Sequence, residues 1–511
     1  MTGYIYNLGQ LFSKIAEANS VRTAIIFEKD GSTISFGELD KLSNQIVNIL
    51  NQHQVLPGNV VGIYNNKTKY GFASMLAALK LGAAYVNLDF NNPAERLEKI
   101  ILRAVPKIII TDKGINADVL YFGIESLDYN KNSIAEETEK QDTGTPAGMD
   151  NVTSSAPAYI MFTSGSTGFP KGAVMTHQNL LNFIGWGKQR FSITEADLFT
   201  NVNPVYFDNS VFDFYCSLFN SASLLAFSYE TMKIPSEVVK TVNCYKATSW
   251  FSVPSMLIYL LTTKSLSEGD FPLVRNIIFG GEGFPKPNMK KLYNLFGNRI
   301  TLVNVYGPTE CTCICSAYNI SESDFDDMLS LAPLGRLAPN FGYSIEKTEG
   351  SDAGELLLTG PQVGRGYYND PERTTSSFIK NPEIKNYTDF VYKTGDLVSE
   401  DENGILYFRG RKDNQIKHMG YRIELEEIES AVNTIAGVNE SAVIYKKSEV
   451  YGGQIYCFIT TGNGLNQDKV LTELRNKVPS YMVPRSVSVL DKMPKNKNGK
   501  TDKIHLLELI Q

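Results

Sequence analysis

The chain has 511 residues, of which 42% are hydrophobic and 20% charged, and its formal net charge is −6. This length predicts about two to four domains, and the composition excludes wholesale disorder. The negative charge balance argues against a general nucleic-acid binder, and six unevenly spread cysteines are too few for a disulfide framework.

The first residues, "MTGYIYNLGQLFSKIAEANS", lack the basic start, apolar stretch and cleavage site of a secretory signal. The sequence also shows no apolar run of the length that a membrane helix requires. We therefore predict a cytoplasmic, monomeric protein with neither a nucleic-acid nor a membrane partner.

The first part of the chain alternates buried-strand and helical patterns. Apolar runs at 60–65, 83–89 and 107–111 predict strands, with helical patterns between them. The polar stretch 128–155 predicts an exposed, loosely ordered connection. A second series follows, with "SLLAFS", "ATSWFSV", "VRNIIFGGE" and "ITLVNVYG" as strands. Two of these end in Gly-Gly or Tyr-Gly-Pro loops, where α/β sheets place ligands.

After about residue 330 the pattern changes to short alternating strands, which indicate a β-rich subdomain at about 330–412. Residues 413–511 predict a compact α+β unit. The expected fold class is therefore α/β: a large N-terminal domain, 1–412, of doubly wound sheets with the β-rich subdomain, followed by a small α+β C-terminal domain.

Three cysteines alternate in "CTCIC", where a strand would place Cys311, Cys313 and Cys315 on one face. A metal site would need a fourth ligand at a recognisable spacing, and the sequence provides none. We expect these thiols to pack in the interior.

The segment "FTSGSTGFPKGA" (162–173) looks shaped for phosphate, yet its lysine does not follow glycine directly as in the common phosphate loop. It follows an apolar strand and precedes a helix for which Thr176 is the expected N-cap. Its hydroxyls, glycines and lysine are suited to wrapping phosphate oxygens. These residues are Thr163, Ser164, Gly165, Ser166, Thr167, Gly168 and Lys171.

Four further motifs follow in order: "NVYGPTE" (304–310), "YKTGDL" (392–397), "GRKDNQIKHMGYRIELEEIE" (410–429) and "NKNGKTDK" (496–503). With the 162–173 loop they resemble the adenylate-forming superfamily of acyl-CoA synthetases, luciferases and peptide-synthetase adenylation domains. The similarity extends over nearly the whole chain, from "ISFGELD" (34–40) and "LKLGAAYVNLD" (79–89) to the terminal lysine motif.

In that superfamily a carboxylate attacks the α-phosphate of ATP, and the acyl group then passes to a thiol. The resemblance implies that Lys500 bridges the substrate carboxylate and the α-phosphate, that Thr309 touches this phosphate, and that Glu310 holds Mg²⁺. Asp396 would accept the ribose hydroxyls, with Arg411 nearby. The remaining implied ATP-binding residues are the 162–173 loop, Gly281, Glu282, Asn304, Val305, Tyr306 and Gly307.

The structural alternatives are that Tyr306 is a core residue, Asp396 a turn cap and Lys500 a solvated lysine. The resemblance also implies that the C-terminal domain is mobile, with its hinge at Asp413. Gly420 would then line a channel for the incoming thiol.

The segment "YFDNSVFDFY" (206–215) is similar to amino-acid adenylation domains, in which the residue matching Asp208 pairs with the substrate ammonium. A helix N-cap is the structural alternative for this carboxylate. The resemblance implies a pocket for a small neutral amino acid, such as Ala, D-Ala, Ser, Thr, Val or aminobutyrate. Its implied walls are Asp208, Asn209, Phe212, Phe251, Ile278, Gly280, Val305, Cys313 and Ile314.

The sequence resembles D-alanine:carrier-protein ligases in particular, although these usually have cysteine where Gly280 stands. No carrier motif follows Lys500 in this sequence, so the expected thiol is the phosphopantetheine of a separate carrier protein. The alternatives are a small carboxylic acid:CoA ligase and a non-catalytic nucleotide-binding regulator.

Overall fold

The computed structural model describes residues 4–112, 124–165, 168–347, 350–387, 389–446, 453–461, 465–496 and 501–510. Within these residues no helix combines the length and apolar character needed to cross a membrane.

The first sheet contains the three strands that the apolar runs of the first part predicted. Its strands are β3 (Val60–Tyr64), β4 (Ala84–Asn87), β5 (Ile108–Thr111), β6 (Glu125–Asp128), β7 (Pro157–Thr163) and β8 (Lys171–Thr176). They lie in the order β6-β5-β3-β4-β7-β8, and only β7 and β8 pair in antiparallel fashion among the described residues. Parallel strands covered on both faces have few solvent-facing positions, which explains their nearly continuous apolar runs.

The second sheet is larger and contains all four strands predicted for the second series. Its strands are β1 (Thr23–Phe27), β2 (Thr33–Ser35), β9 (Leu198–Asn201), β10 (Ser223–Ala226), β11 (Ser249–Ser252), β12 (Asn276–Gly280), β13 (Thr301–Tyr306), β14 (Ser316–Asn319) and β15 (Arg336–Leu337). The order is β15-β14-β13-β12-β11-β9-β10-β1-β2. Strands β9 to β13 run parallel, so their C-terminal ends meet at one edge.

The main hydrophobic core lies between these two sheets and includes helices from the first half of the chain. A second apolar cluster covers the opposite face of the second sheet, and a smaller one covers the first sheet. The helices are α1 (Leu8–Ala18), α2 (Phe36–Gln52), α3 (Lys69–Leu81), α4 (Ala94–Ala104), α5 (Asn132–Glu139), α6 (His177–Arg190), α7 (Asn209–Val211), α8 (Pro235–Tyr245), α9 (Pro254–Thr262), α10 (Lys286–Phe296) and α11 (Pro371–Ser377).

Local sequence signals set several helix starts. Ser35 and Glu38 form a capping box at α2. Thr176 caps α6 as predicted, and its hydroxyl accepts from the amide of Asn179. Such caps satisfy backbone N–H groups that lack partners within the first helical turn.

The predicted loose connection at 128–155 is wrong in part. It contains α5 and a short 3-10 turn at Met149–Asn151. Side-chain amides of α2 anchor it: Asn44 donates to the carbonyl of Thr143 at 2.9 Å, and Asn48 donates to that of Asp142 at 3.0 Å. Hydrogen bonds to α2 and the burial of Tyr129, Met149 and Val152 hold the segment, and its largely polar composition hid this order.

A third, antiparallel sheet occupies the region that the sequence predicted to be rich in short strands. Its strands are β16 (Gly342–Lys347), β17 (Gly354–Thr359), β18 (Phe378–Lys380), β19 (Phe390–Glu400) and β20 (Leu406–Arg411). Strand β19 pairs with β17, β18 and β20.

The C-terminal part begins with a two-stranded hairpin of β21 (Gln415–His418) and β22 (Tyr421–Glu424), here called the 415–424 hairpin. A small sheet and three helices follow, with one apolar cluster on each face of the sheet. They are β23 (Val438–Lys446), β24 (Gln454–Thr461), β25 (Ser486–Val489), α12 (Leu425–Asn433), α13 (Gln467–Arg475) and α14 (Lys503–Glu508). The predicted fold class is confirmed: a large α/β part with a β-rich subdomain, followed by a small α+β part.

Candidate active site

A cleft lies between the C-terminal ends of the parallel strands and the 415–424 hairpin. Phe251 on β11, Gly281 after β12 and Val305 on β13 form one side of it. Lys417, Gly420 and Arg422 of the hairpin form part of the opposite side. The cleft therefore lies where α/β sheets collect ligands.

About half of the predicted nucleotide-binding residues line this cleft. They are Thr163, Ser164, Gly281, Val305, Gly307, Thr309, Asp396 and Arg411. Others do not line it: Gly165, Lys171, Glu282, Asn304, Tyr306 and Glu310. Gly168 lies apart, in a small pocket beside Ser430 and Glu95. The predicted residues Ser166, Thr167 and Lys500 lie outside the described residues.

The predicted phosphate loop is bonded to the C-terminal part of the chain. The Ser164 hydroxyl donates to the carbonyl of Arg422 at 2.6 Å and accepts from the amide of Glu424 at 3.2 Å. The Gly165 amide donates to the carboxylate of Glu427 at 3.1 Å. The Glu427 carboxylate thus accepts a hydrogen bond from a backbone amide that would also suit a phosphate oxygen.

Gly165 has a steric reason to be glycine, because a Cβ there would lie 2.1 Å from the carbonyl oxygen of Phe169.

Lys171 lies beside two carboxylates, at 3.9 Å from Glu310 and 3.7 Å from Glu424. Burial lowers the pKa of Lys171 to about 8, and the nearby Arg422 acts in the same direction.

Glu310 is fully buried and held by a guanidinium. Arg422 donates to its two carboxylate oxygens at 2.9 and 2.7 Å, and the Tyr367 hydroxyl donates at 2.6 Å. Burial by itself raises the pKa of Glu310, but Arg422 and Lys171 outweigh it and lower the pKa to about 2. Arg422 lies against both oxygens of Glu310 in this arrangement of the chain, so a Mg²⁺ ion bound there would have to displace the guanidinium or share the carboxylate with a like charge.

Asp396 is the centre of a second ionic cluster. It accepts from the Tyr306 hydroxyl at 2.6 Å and from Arg411 at 2.8 Å. Arg411 also donates to both oxygens of Asp413, at 2.8 and 2.6 Å. Each carboxylate oxygen has more than one acceptor site, so Asp396 retains capacity for further donors such as ribose hydroxyls.

Asp208 lies in the cleft with its carboxylate buried. The Thr309 hydroxyl donates to one of its oxygens at 2.5 Å, and it makes no capping hydrogen bond to α7. The N-cap alternative is therefore wrong. Burial raises the pKa of Asp208, and within the described residues it forms no ion pair.

The predicted amino-acid pocket divides into a lining and a supporting layer. Asp208, Asn209, Phe251, Val305, Cys313 and Ile314 line the cleft. Phe212, Ile278 and Gly280 lie behind them: the Phe212 ring packs against the rings of Phe191 and Phe251, at 5.1 and 5.3 Å between centroids. A Cβ on Gly280 would lie 2.4 Å from the Val305 carbonyl oxygen, so strand packing requires glycine there.

The "CTCIC" segment does not form a strand. Thr309–Cys311 is a 3-10 turn, and Thr312 and Cys313 have left-handed φ values of 60° and 69°. Gly307 permits this fold-back, since a Cβ there would lie 2.2 Å from the Cys313 carbonyl oxygen. The expected burial of Cys311, Cys313 and Cys315 is confirmed.

Gly420 enters the cleft at the turn of the 415–424 hairpin. It has φ +80°, and a Cβ there would lie 2.3 Å from Val253 Cγ1. Its amide donates to Glu282 at 2.9 Å, and the amide of Ser255 donates to the other oxygen of Glu282 at 2.7 Å. Glu282, predicted as an ATP-binding residue, thus anchors the hairpin turn.

Four charged residues were not predicted from the sequence. Lys417 and Arg422 are paired across the hairpin, so they share one face of it, and both line the cleft. Glu427 on α12 forms a buried ion pair with Arg96 on α4. The period-two alternation of polar and apolar residues in "QIKHMGYRIE" was the available signal for the hairpin face.

Comparison with known families decides the assignment. The model of the AMP-binding enzyme family matches residues 12–368, and that of the AMP-binding enzyme C-terminal domain matches residues 427–500. The chain belongs to the AMP-binding enzyme family. The predicted resemblance to adenylate-forming enzymes is therefore confirmed.

This AMP-binding enzyme has relatives of two kinds. It is 31% identical over 506 residues to bacitracin synthase 3 of Bacillus licheniformis, covering 98% of this chain but 8% of that protein. It is 30% identical over 509 residues to the D-alanine--D-alanyl carrier protein ligase of Bacillus cereus (strain G9842), covering 98% of both chains. The chain thus spans a small part of some relatives and nearly the whole of others.

Solved structures confirm the fold of this AMP-binding enzyme. The o-succinylbenzoate CoA synthetase of Bacillus subtilis aligns with a TM-score of 0.84 at 20% identity, covering 99% of this chain and 98% of the other. An artificially fused adenylation-PCP di-domain NRPS from Klebsiella oxytoca aligns with a TM-score of 0.81 at 20% identity, covering 96% and 94%.

Proposed function

We propose that the chain is an ATP-dependent ligase that activates a small neutral amino acid as aminoacyl-AMP and transfers it to the phosphopantetheine thiol of a separate carrier protein. The observation that carries this proposal is Asp208, a buried carboxylate in the cleft with one oxygen bonded to Thr309. An unpaired buried carboxylate is costly, and the α-ammonium of an amino acid is a suitable partner.

Several cleft residues fit a nucleotide. The Thr163 hydroxyl is buried and has no hydrogen-bond partner among the described residues, while Asp396 retains acceptor capacity beside Tyr306. ATP supplies an electrophilic α-phosphate and a pyrophosphate leaving group. In this proposal Thr309 orients the α-phosphate, Asp396 holds the ribose, and Lys500 bridges the carboxylate and the α-phosphate.

Mg²⁺ is the expected companion of ATP in this family, but Arg422 covers Glu310 in the present arrangement. We therefore assign no step to a metal at Glu310. The contacts of Ser164, Gly165 and Glu310 with the C-terminal part support a second proposal: the hairpin and the phosphates of ATP exclude each other.

The carrier protein in this proposal is supported by the relatives and by the hairpin. The Bacillus cereus relative is by name a D-alanine--D-alanyl carrier protein ligase. In the present chain Gly420 lies in the cleft wall, where a side chain would clash with Val253. Asp413, bonded to Arg411, is the proposed hinge before the hairpin.

The test is amino-acid-dependent exchange of pyrophosphate into ATP, with both enantiomers of every amino acid and with short carboxylic acids. Mass spectrometry then follows loading of a phosphopantetheinylated carrier against free CoA. Exchange only with acids that lack an amino group, together with acyl-CoA formation, would assign the CoA ligase instead. ATP binding without any acid-dependent exchange would assign the non-catalytic regulator.

A further inference from the structure

Asn209 is a polar side chain in an otherwise apolar part of the cleft. It is the first residue of α7, follows Asp208 directly, and is only 5% exposed. The neighbouring lining residues of the predicted pocket are Phe251, Val305, Cys313 and Ile314. Apart from Asp208, the pocket lining predicted from the sequence thus contains one strongly polar side chain.

The amide nitrogen of Asn209 has no hydrogen-bond partner within the part of the chain that the structure describes. Buried polar groups in proteins are nearly always paired, and an exception calls for an explanation. The Cys313 thiol, which lines the same cleft, is a weak hydrogen-bonding group, and burial raises its pKa. A substrate bound in the cleft would supply a stronger partner.

A hydroxyl is the side-chain group that matches this amide. A carboxamide presents a donor and an acceptor, and a hydroxyl can act as either, so the pair is complementary whichever way the amide is turned. A substrate carboxylate would face Asp208, and a second substrate cation would find no further carboxylate among the pocket residues Asn209, Phe251, Val305, Cys313 and Ile314. A substrate carboxamide would also pair with Asn209, through reciprocal N–H and C=O groups, so asparagine is the competing outcome of the test.

Asp208 and Asn209 are adjacent in sequence and both line the cleft, so both side chains are available to one small substrate. We propose that Asn209 selects amino acids with a β-hydroxyl, of the serine and threonine class, over alanine, aminobutyrate and valine. This inference rests on the proposed function, in which Asp208 holds the α-ammonium.

The test uses two matched substrate pairs, Ser against Ala and Thr against its near-isostere Val, in both enantiomers. Sites that hydrogen-bond a substrate hydroxyl reject analogues lacking it by up to about 10⁴–10⁵-fold. We expect kcat/KM for pyrophosphate exchange to favour the hydroxylated member of a pair by at least about a hundredfold. Asn209→Leu should reduce this ratio to below about tenfold.

Ser210→Ala is the matched control, because the Ser210 hydroxyl donates to the Phe207 carbonyl at 2.7 Å and does not line the cleft. It should leave the ratio unchanged. Preference for Ala, Val or Asn over the hydroxylated substrates, or an unchanged ratio in Asn209→Leu, would overturn the inference while amino-acid activation stands. If Asn209→Leu does not fold, the wild-type ratios decide, and absence of all amino-acid exchange refutes the proposed function itself.

Discussion

Replacement of Arg422 by methionine tests whether the 415–424 hairpin and ATP compete for the same residues. In the present arrangement Arg422 makes two charge-assisted hydrogen bonds to the fully buried Glu310, at 2.9 and 2.7 Å. Breaking a buried ion pair by removing one partner costs about 3–5 kcal/mol. Arg422→Met should therefore weaken hairpin docking by up to that amount, while methionine retains much of the apolar stem.

The apparent affinity for a ligand falls with the fraction of protein that is competent to bind it. If the docked hairpin covers Ser164 and Glu310, then weakening it raises the competent fraction. We expect the apparent Kd for ATP with Mg²⁺, measured by isothermal titration calorimetry, to fall by about tenfold to a thousandfold, since each 1.4 kcal/mol is a factor of ten. The gain stops once most molecules are undocked.

Arg409→Met is the control, because it removes the same charge from an exposed residue that donates to Ser399 at 2.7 Å, outside the cleft. Its affinity for ATP should stay at the wild-type value. An unchanged or weaker ATP affinity in Arg422→Met, in a variant whose denaturant midpoint shows that it is folded, would refute competition at Glu310.

Two further predictions address the substrate anchor and the pH dependence of stability. Asp208→Ala should lower kcat/KM for the amino acid by about two to four decades, because it removes the partner of a buried cation; unchanged amino-acid kinetics would remove Asp208 from the site. His177 is buried and accepts from the Leu8 amide at 3.0 Å, and burial lowers its pKa to about 4. The unfolded chain, with a histidine pKa of about 6.5, binds this proton first, so stability should fall as pH decreases from about 6.5 to about 4. Denaturant midpoints at pH 7 and pH 5 measure the fall, and a drop of equal size in His177→Gln would show that other groups cause it.

Sequence patterns predicted the strands well where burial on both faces requires a continuous run of apolar residues. The strands β3, β4 and β5 appear as apolar runs because both faces of a parallel sheet are covered. The order of the connection at 128–155 was not predicted, because it depends on contacts with distant parts of the chain: the amides of Asn44 and Asn48 on α2, and the core in which Tyr129 and Met149 are buried. The turn in the "CTCIC" segment was not predicted, because its two residues with left-handed φ, Thr312 and Cys313, are not glycines.

By itself the sequence determined the order of the motifs, because they are local stretches of residues, and their resemblance to adenylate-forming enzymes indicated the family and many residues of the cleft. Only the tertiary structure decided which groups meet: Arg422 with Glu310, Glu427 with Gly165, and Gly420 with Glu282. These pairs are separated by more than a hundred residues, so no local pattern encodes them. Their geometry depends on how the hairpin packs against the sheet ends, and that packing decides which polar atoms, such as Asn209 Nδ2, are buried without a partner among the described residues.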